Sequence, residues 1–305
     1  MPAASDDRTA GIRPSPSARR ATQLLNYLAG NRDASYSVSE LARALTMNRA
    51  TCQSVLMGLG EGGFVRRDPR TKTYSLGAAL IPLGEAALAS LKVVDEARPE
   101  IERIAADAGL ECIAAVSAGS EMIIVARAGP ASRFGGSIRV GQTVPICPPF
   151  GIAFVAWSDA DAVDTWLARA GTLPEPERKR YLASIDAVRQ RGYSVTLEIR
   201  SRERLAQVLA QLRADQQRGG SGLAEHEQIN QLLHEEYLLP EGEEPGSHRL
   251  AQLSVPVFGP DRSVALVIGL TGFPHDLTSK EIDGYVAPLL GAASRITERI
   301  HGARP

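Results

Sequence analysis

Apolar residues recur with a helical period in three successive stretches near the start of the chain. Ala21, Leu24, Leu25 and Leu28 fall at offsets 0, 3, 4 and 7, on one stripe of a helix ending near Gly30. Val38, Leu41, Ala42 and Leu45 repeat that spacing behind Ser37-Val38-Ser39-Glu40. This is a capping box, in which the Ser37 hydroxyl accepts an orphan backbone N–H and Glu40 reaches back to Ser37. Cys52, Val55, Leu56 and Leu59 repeat the pattern again behind Asn48, a capping residue type. The spacing predicts three short helices on one small core. Only two or three residues around Thr46 and Met47 join the second to the third, as in a helix-turn-helix. With the third stripe turned inward, Ala50, Gln53, Ser54 and Met57 point outward, and Arg49 and Thr51 flank the first turn. After Gly62-Gly63 the period changes. Phe64–Arg67 and Thr73–Leu76 read as two short strands around the turn Asp68–Lys72, which makes a wing.

Ser75–Ala108 reads as helix-rich, with Leu80, Leu83, Ala87 and Leu91 at near-helical spacing and Pro99 near the start of a helix carrying Ile101, Ile104 and Ala105. From Leu110 strands are predicted at 112–116, 121–127, 137–140, 193–197, 251–258 and 263–272, with hairpin turns at Gly119-Ser120 and Gly259–Arg262. Helices fill the gaps at 150–157, 161–169, 175–190 and 279–300, the last capped by Thr278 or Ser279. The pattern predicts an α+β body with a mainly antiparallel sheet. The Pro/Ser/Asp-rich residues 1–18 carry no period and read as an unstructured leader.

At 305 residues, with 44% hydrophobic and 23% charged, the chain has material for about two ordinary domains. It is not collagen-like or wholly disordered. Three cysteines without a C-x-x-C spacing indicate neither a disulfide framework nor a thiolate zinc site, and they fit a reducing cytoplasm. No export signal or membrane-length apolar run is evident. The net charge of −1 conceals an asymmetry: residues 1–90 balance at +4 and the remainder at −5. A basic head on an acidic body suits nucleic acid. Arg66, Arg67, Arg70 and Lys72 are the densest basic cluster, and Arg19 and Arg20 form a second pair. Phosphate contacts are expected of these, conferring affinity and salt dependence. Base reading falls to the N-terminal end of the third helix, where Arg49 and Gln53 carry suitable donors and acceptors beside the short Ala50. Ser39, Asn48, Thr51 and Ser54 complete the expected interface with double-stranded DNA.

Leu41–Leu45, Arg49-Ala50-Thr51, Gly63–Asp68 and Tyr74–Gly77, in that order, resemble the winged-helix domain of IclR-type (isocitrate lyase regulator) transcription factors. The similarity continues through Gly141–Ile146 and Gly151, Arg191–Val195, Val255–Gly259 and the terminal helix. It therefore spans most of Arg19–Ile300. The resemblance implies a winged helix-turn-helix over 19–77, a linker helix over 78–92 that helps a homodimer form, and a GAF-like effector-binding domain over 93–305. It further implies a dimer, or a tetramer of paired dimers, on a palindromic operator, with a small-molecule effector; organic and aromatic acids are candidates. Cys147, Phe150, Ile123, Tyr193, Leu253 and Thr271 are the expected effector-pocket residues, on the loop and strands that face the family's cavity. Arg127, Arg133 and Arg139 are candidate carboxylate partners. Three departures stand out. Ser54 replaces the family's usual recognition-helix arginine, which bears on the operator sequence. Cys147-Pro148-Pro149-Phe150 makes the pocket loop stiffer and more apolar, which favours a less polar ligand. Some 40 extra residues at about 198–248, turning at Arg218–Gly222, read as a helical hairpin that shields the pocket, touches a partner protomer or is simply solvated.

No Walker A loop, dinucleotide-binding glycine motif or Gly-x-Ser-x-Gly is found. His234-Glu235 opens like a zinc motif, but Leu238 stands where the second histidine belongs and His226 is eight residues away. No metal, cofactor or catalytic set is expected. Cys147 lacks a local histidine to activate it and reads as pocket wall. A ligand-responsive DNA-binding regulator is the expectation. The alternatives are an enzyme with an appended helix-turn-helix and a ligand sensor that no longer binds DNA.

Overall fold

A computed structural model describes residues 15–31, 34–130, 138–148, 150–197 and 250–305. The expected helical insertion and Arg133 lie outside these residues, as do His226, His234 and most of the expected leader. The chain divides into two units, Met1–Ala87 and Leu88–Pro305.

In the first unit, α1 (Pro16–Gly30), α2 (Val38–Ala44) and α3 (Arg49–Glu61) precede β1 (Val65–Arg67) and β2 (Tyr74–Leu76). Leu24, Leu28, Leu41, Cys52 and Leu56 are buried together, so all three predicted stripes meet in one core. The helix starts follow from local chemistry. Ser37 and Glu40 form the reciprocal capping box, and the Asn48 side chain accepts from the Ala50 N–H at 2.8 Å. The leader expected over 1–18 is corrected at its end. Pro16, pre-set for a first helical turn and capped by Ser15, begins α1 there. The wing has an unforeseen third strand-like partner: Tyr36 and Tyr74 exchange backbone hydrogen bonds of 3.1 and 2.7 Å, pinning β2 from its free side. Helix α4 (Leu80–Ser90) follows, and it has no buried residue.

The second unit is built on a six-stranded sheet of order β5-β4-β3-β8-β7-β6, antiparallel at every pairing. Its strands are β3 (Glu111–Ala118), β4 (Glu121–Ala128), β5 (Thr143–Pro145), β6 (Ser194–Leu197), β7 (Leu250–Phe258) and β8 (Val264–Thr271). Because strand side chains alternate, β3, β4 and β8 each feed two cores. Cys112, Ala114, Leu253, Val255, Ile268 and Leu270 pack against α5 (Lys92–Ala108) and α9 (Ser279–Arg299). Ile113, Ala115, Ile124 and Val267 face the other way, toward α6 (Ile152–Val155), α7 (Ala160–Ala168) and α8 (Glu175–Arg191).

Two expectations are corrected here. Pro99 lies in the interior of α5, seven residues past its start. Burial of Val93, Val94 and Ala97 ahead of it outweighs the roughly 3 kcal/mol that an interior proline costs. The strand expected at 137–140 is also absent from its described part, residues 138–140. Arg139–Gln142 instead closes a turn, with Gln142 N–H on Arg139 O and Arg139 N–H on Gln142 Oε1, and the edge strand forms beyond it as β5. Among the described residues, no helix is long and apolar enough to cross a membrane.

Candidate functional site

Each unit presents one candidate site. In the first, packing of Cys52 and Leu56 fixes the rotation of α3 and leaves Arg49, Ala50, Gln53, Ser54 and Met57 exposed, with Thr51 half-buried. Asn48 and Ser39, each at a helix start, are exposed as well. Thr46 takes a left-handed conformation (φ 51°) between α2 and α3, and Met47 N–H bonds back to Ala42 O at 2.8 Å, so the turn is short and fixed. In the wing, the Asp68 carboxylate accepts from the Arg70 and Thr71 N–H groups at 2.7 and 3.1 Å. Those bonds hold its carboxyl below the usual carboxylate range. They also shape a tip on which Arg70 and Lys72 are exposed. Arg66 and Arg67, adjacent on β1, project to opposite faces of the hairpin, and Arg67 lies 6.0 Å from the Tyr74 ring centre. Arg19 is exposed and Arg20 half-buried on α1. No salt bridge holds Arg49, Arg70 or Lys72 among the described residues. The arrangement offers neutral hydrogen-bonding groups and one arginine on a rigid helix face, next to unneutralised cations.

The second unit holds a cavity of ≈ 140 Å³ on the α6–α8 face of the sheet. Its apolar wall comes from Ile113, Ala115, Met122 and Ile124 on β3 and β4, together with Phe150 and Phe154. Its polar end comes from β6 and β7, where Ser194 lies opposite Ser254 and Thr196 opposite Gln252. Gly269 on β8 forms the floor beneath that end. A Cβ there would sit 2.6 Å from Gln252 Nε2 and 3.1 Å from Ser254 Oγ, so glycine leaves room for the 2.7 Å hydrogen bond that Gln252 donates to Ser254. The loop over the apolar end is fastened by α7. The buried Trp166 indole donates to Phe150 O at 2.8 Å, and Arg169 donates to Ile146 O at 2.9 Å. Gly151 takes φ +84° against Ile146, where a side chain would clash, and starts α6 two residues later than the sequence pattern predicts.

The six expected pocket residues scatter across this frame, and only Phe150 lines the cavity. Ile123 and Leu253 face the α5/α9 core on the far side of the sheet, a correction dictated by strand alternation. Tyr193 packs with that core too, its ring 4.9 Å from the Arg191 guanidinium. Thr271 is on the cavity side but buried, its hydroxyl donating to Ala251 O at 3.0 Å. Cys147 is half-buried beside the loop; burial pushes its thiol pKa up, partly offset by Arg169, which makes it a poor nucleophile. Of the candidate carboxylate partners, Arg127 reaches the buried Glu111 at 2.7 Å and Arg139 is exposed on the turn before β5. The sequence reading missed the polar quartet of β6 and β7. Its signal was the alternation Ser194, Thr196 and Gln252, Ser254 within otherwise apolar strands.

The model of the IclR helix-turn-helix domain matches residues 17–69. No curated relative matches the chain by sequence. Among solved structures, an IclR transcriptional regulator from Alicyclobacillus acidocaldarius is similar, with 22% identity, a TM-score of 0.65, and coverage of 94% of this chain and 100% of that one. An IclR family transcriptional regulator from Brucella abortus gives 16% identity and a TM-score of 0.65, covering 97% and 96%. An IclR homolog from Microbacterium hydrocarbonoxydans complexed with 4-hydroxybenzoate gives 15% and 0.60, covering 93% and 98%. Residues 17–69 thus match the IclR helix-turn-helix domain, and the chain as a whole has the fold of the solved IclR transcriptional regulators.

Proposed function

We propose that this protein is a ligand-responsive regulator that binds a palindromic operator as a homodimer. The observation that carries the reading is the uncovered face of α3, on which Arg49, Ala50, Gln53 and Ser54 are exposed beside a wing with free cations at its tip. A helix so presented fits the major groove. Arg49 and Gln53 take the base edges, with Asn48, Thr51 and Ser54 beside them. Arg19, Arg20, Ser39, Arg66, Arg67, Arg70 and Lys72 take phosphates and set the register. The working segments are 19–77 for DNA, 78–92 as linker and 93–305 for the effector, including the insertion at about 198–248. Helix α4 supports self-association: none of its residues is fully buried among the described residues, and Ile81 is 67% and Leu83 54% exposed.

The cavity in the second unit is the effector site on this reading, by analogy with the relative that holds 4-hydroxybenzoate. A ligand there regulates DNA binding only if it favours one arrangement of the two heads over the other. The unpaired cysteines fit a cytoplasmic setting, and no catalytic role is assigned to any of them.

The test is a mobility-shift assay of the full chain against duplexes from upstream of its own gene. Specific retardation is expected, at a site whose halves lie about one helical turn, or a multiple, apart. Indifference to every duplex at low salt sinks the proposal.

A further inference from the structure

The chemistry of the cavity narrows what it takes, and the narrowing rests on the effector reading above. Its volume of ≈ 140 Å³ matches that of an apolar cavity of about 150 Å³ that holds benzene, so a single ring or a short branched chain fills it. Four of the polar groups gather at one end as two cross-strand pairs, Ser194 with Ser254 and Thr196 with Gln252, while Gln142, beside β5 at the other edge of the sheet, already accepts from the Arg139 N–H. All are hydroxyls or amides. Among the described lining residues none is ionisable.

No free described cation faces the polar end: Arg139 is exposed before β5, at the opposite edge of the sheet from β6. Arg169 donates to Ile146 O, and Arg127 is held by Glu111. A carboxylate entering this end would shed its water without gaining a counter-charge, whereas a neutral head loses far less. The quartet also offers both kinds of hydrogen-bonding group. The Ser194 and Thr196 hydroxyls have no side-chain partner among the described residues, and Gln252 and Ser254 are pre-set by their mutual bond over Gly269.

We infer that the effector is a small molecule with an apolar, ring-sized body and a neutral polar head, an amide, alcohol or carbonyl, and that the Ser194–Ser254 and Thr196–Gln252 pairs select the head. This departs from the acids that the sequence resemblance puts forward.

Isothermal titration of the full-length protein with benzamide, benzoate and toluene separates the possibilities. Benzamide is expected to bind, with benzoate at least about tenfold weaker at neutral pH. Apparent benzoate affinity is expected to rise about tenfold per pH unit on acidification, as the protonated form is the one taken up. Thr196→Val and Ser254→Ala are expected to weaken benzamide and leave toluene unchanged. Benzoate binding more tightly than benzamide at neutral pH, with the same two variants weakening it, overturns the neutral-head inference while keeping the cavity as effector site. Failure of all three probes to bind, or benzamide binding indifferent to both variants and to cavity-filling Ala153→Phe, overturns the effector reading as well.

Discussion

Arg49 and Arg70 carry the same charge within one unit, yet their surroundings suit them to different work in the proposed DNA complex. Arg49 stands in the first turn of a capped, rotationally fixed helix, so its guanidinium has a defined line of approach to a base edge. Arg70 sits on an exposed tip shaped by Asp68, and in the proposed complex its cation would meet phosphate whatever the sequence. Arg49→Ala is expected to cost about 1–3 kcal/mol on the preferred operator and little on other duplexes. Arg70→Ala is expected to weaken all duplexes alike and lower the slope of log K against log salt by about one. Titrations of both variants at several salt concentrations decide it, and equal losses on every sequence would reverse the assignment. In the cavity the informative residue has no side chain. In Gly269→Ala the new methyl meets the movable end of Gln252 rather than backbone. Thermal stability should stay within about 0.5 kcal/mol of wild type, while calorimetry shows weakened binding of any ligand that uses the Gln252–Ser254 pair.

Among the elements, α5 and α9 are clasped by one buried carboxylate. Glu100, its side chain 7% exposed, accepts from Arg295 at 2.9 and 2.7 Å and from Arg103 at 3.0 Å, with Arg299 3.7 Å away. Its hydrogen bonds to Arg295 come first in lowering its pKa to about 2. A carboxyl depressed in the fold contributes its full stability above the unfolded value of 4.5 and loses it as pH falls toward about 2. Because the arginines are nearly half exposed, the contribution is about 1–2 kcal/mol. Glu100→Gln should therefore lower the denaturation midpoint at pH 7, and the gap from wild type should close between about pH 4.5 and 2. Parallel urea melts across that range measure it, and a gap that persists at pH 2 refutes the clasp. This pair, 195 residues apart in sequence, was not legible beforehand. Stripes, caps and strand alternation were, because each depends on neighbours within a few residues. That is why three helix starts, both wing strands and most strands of the sheet could be read. Which side of the sheet faces the cavity depends on how layers stack, so Ile123 and Leu253 were read onto the wrong one. Pro99 was misread for a related reason: packing set the start of α5, against the local preference.

For the whole molecule, α4 is the element whose composition disagrees most with its surroundings. Eleven residues, largely apolar, expose every side chain at least in part. An isolated helix of this length is marginal in water, and in the homodimer proposed above a second copy would supply cover for its exposed apolar residues. Ile81→Glu with Leu83→Glu is expected to shift the protein toward monomer in sedimentation at micromolar concentration. It should also weaken operator binding through loss of the paired heads, with the second unit's thermal transition unchanged. A double variant that remains fully dimeric places the association surface elsewhere.

The tie between Trp166 and the Phe150 carbonyl has an optical corollary. The chain has only two tryptophans, and one of them donates its indole hydrogen to the strap that roofs the cavity. Indole emission responds to the polarity and bonding of its N–H, so any guest that displaces Phe150 should alter the fluorescence. Occupancy of the regulator should then be readable in ultraviolet light without a label, and Trp157→Phe would isolate the reporting chromophore.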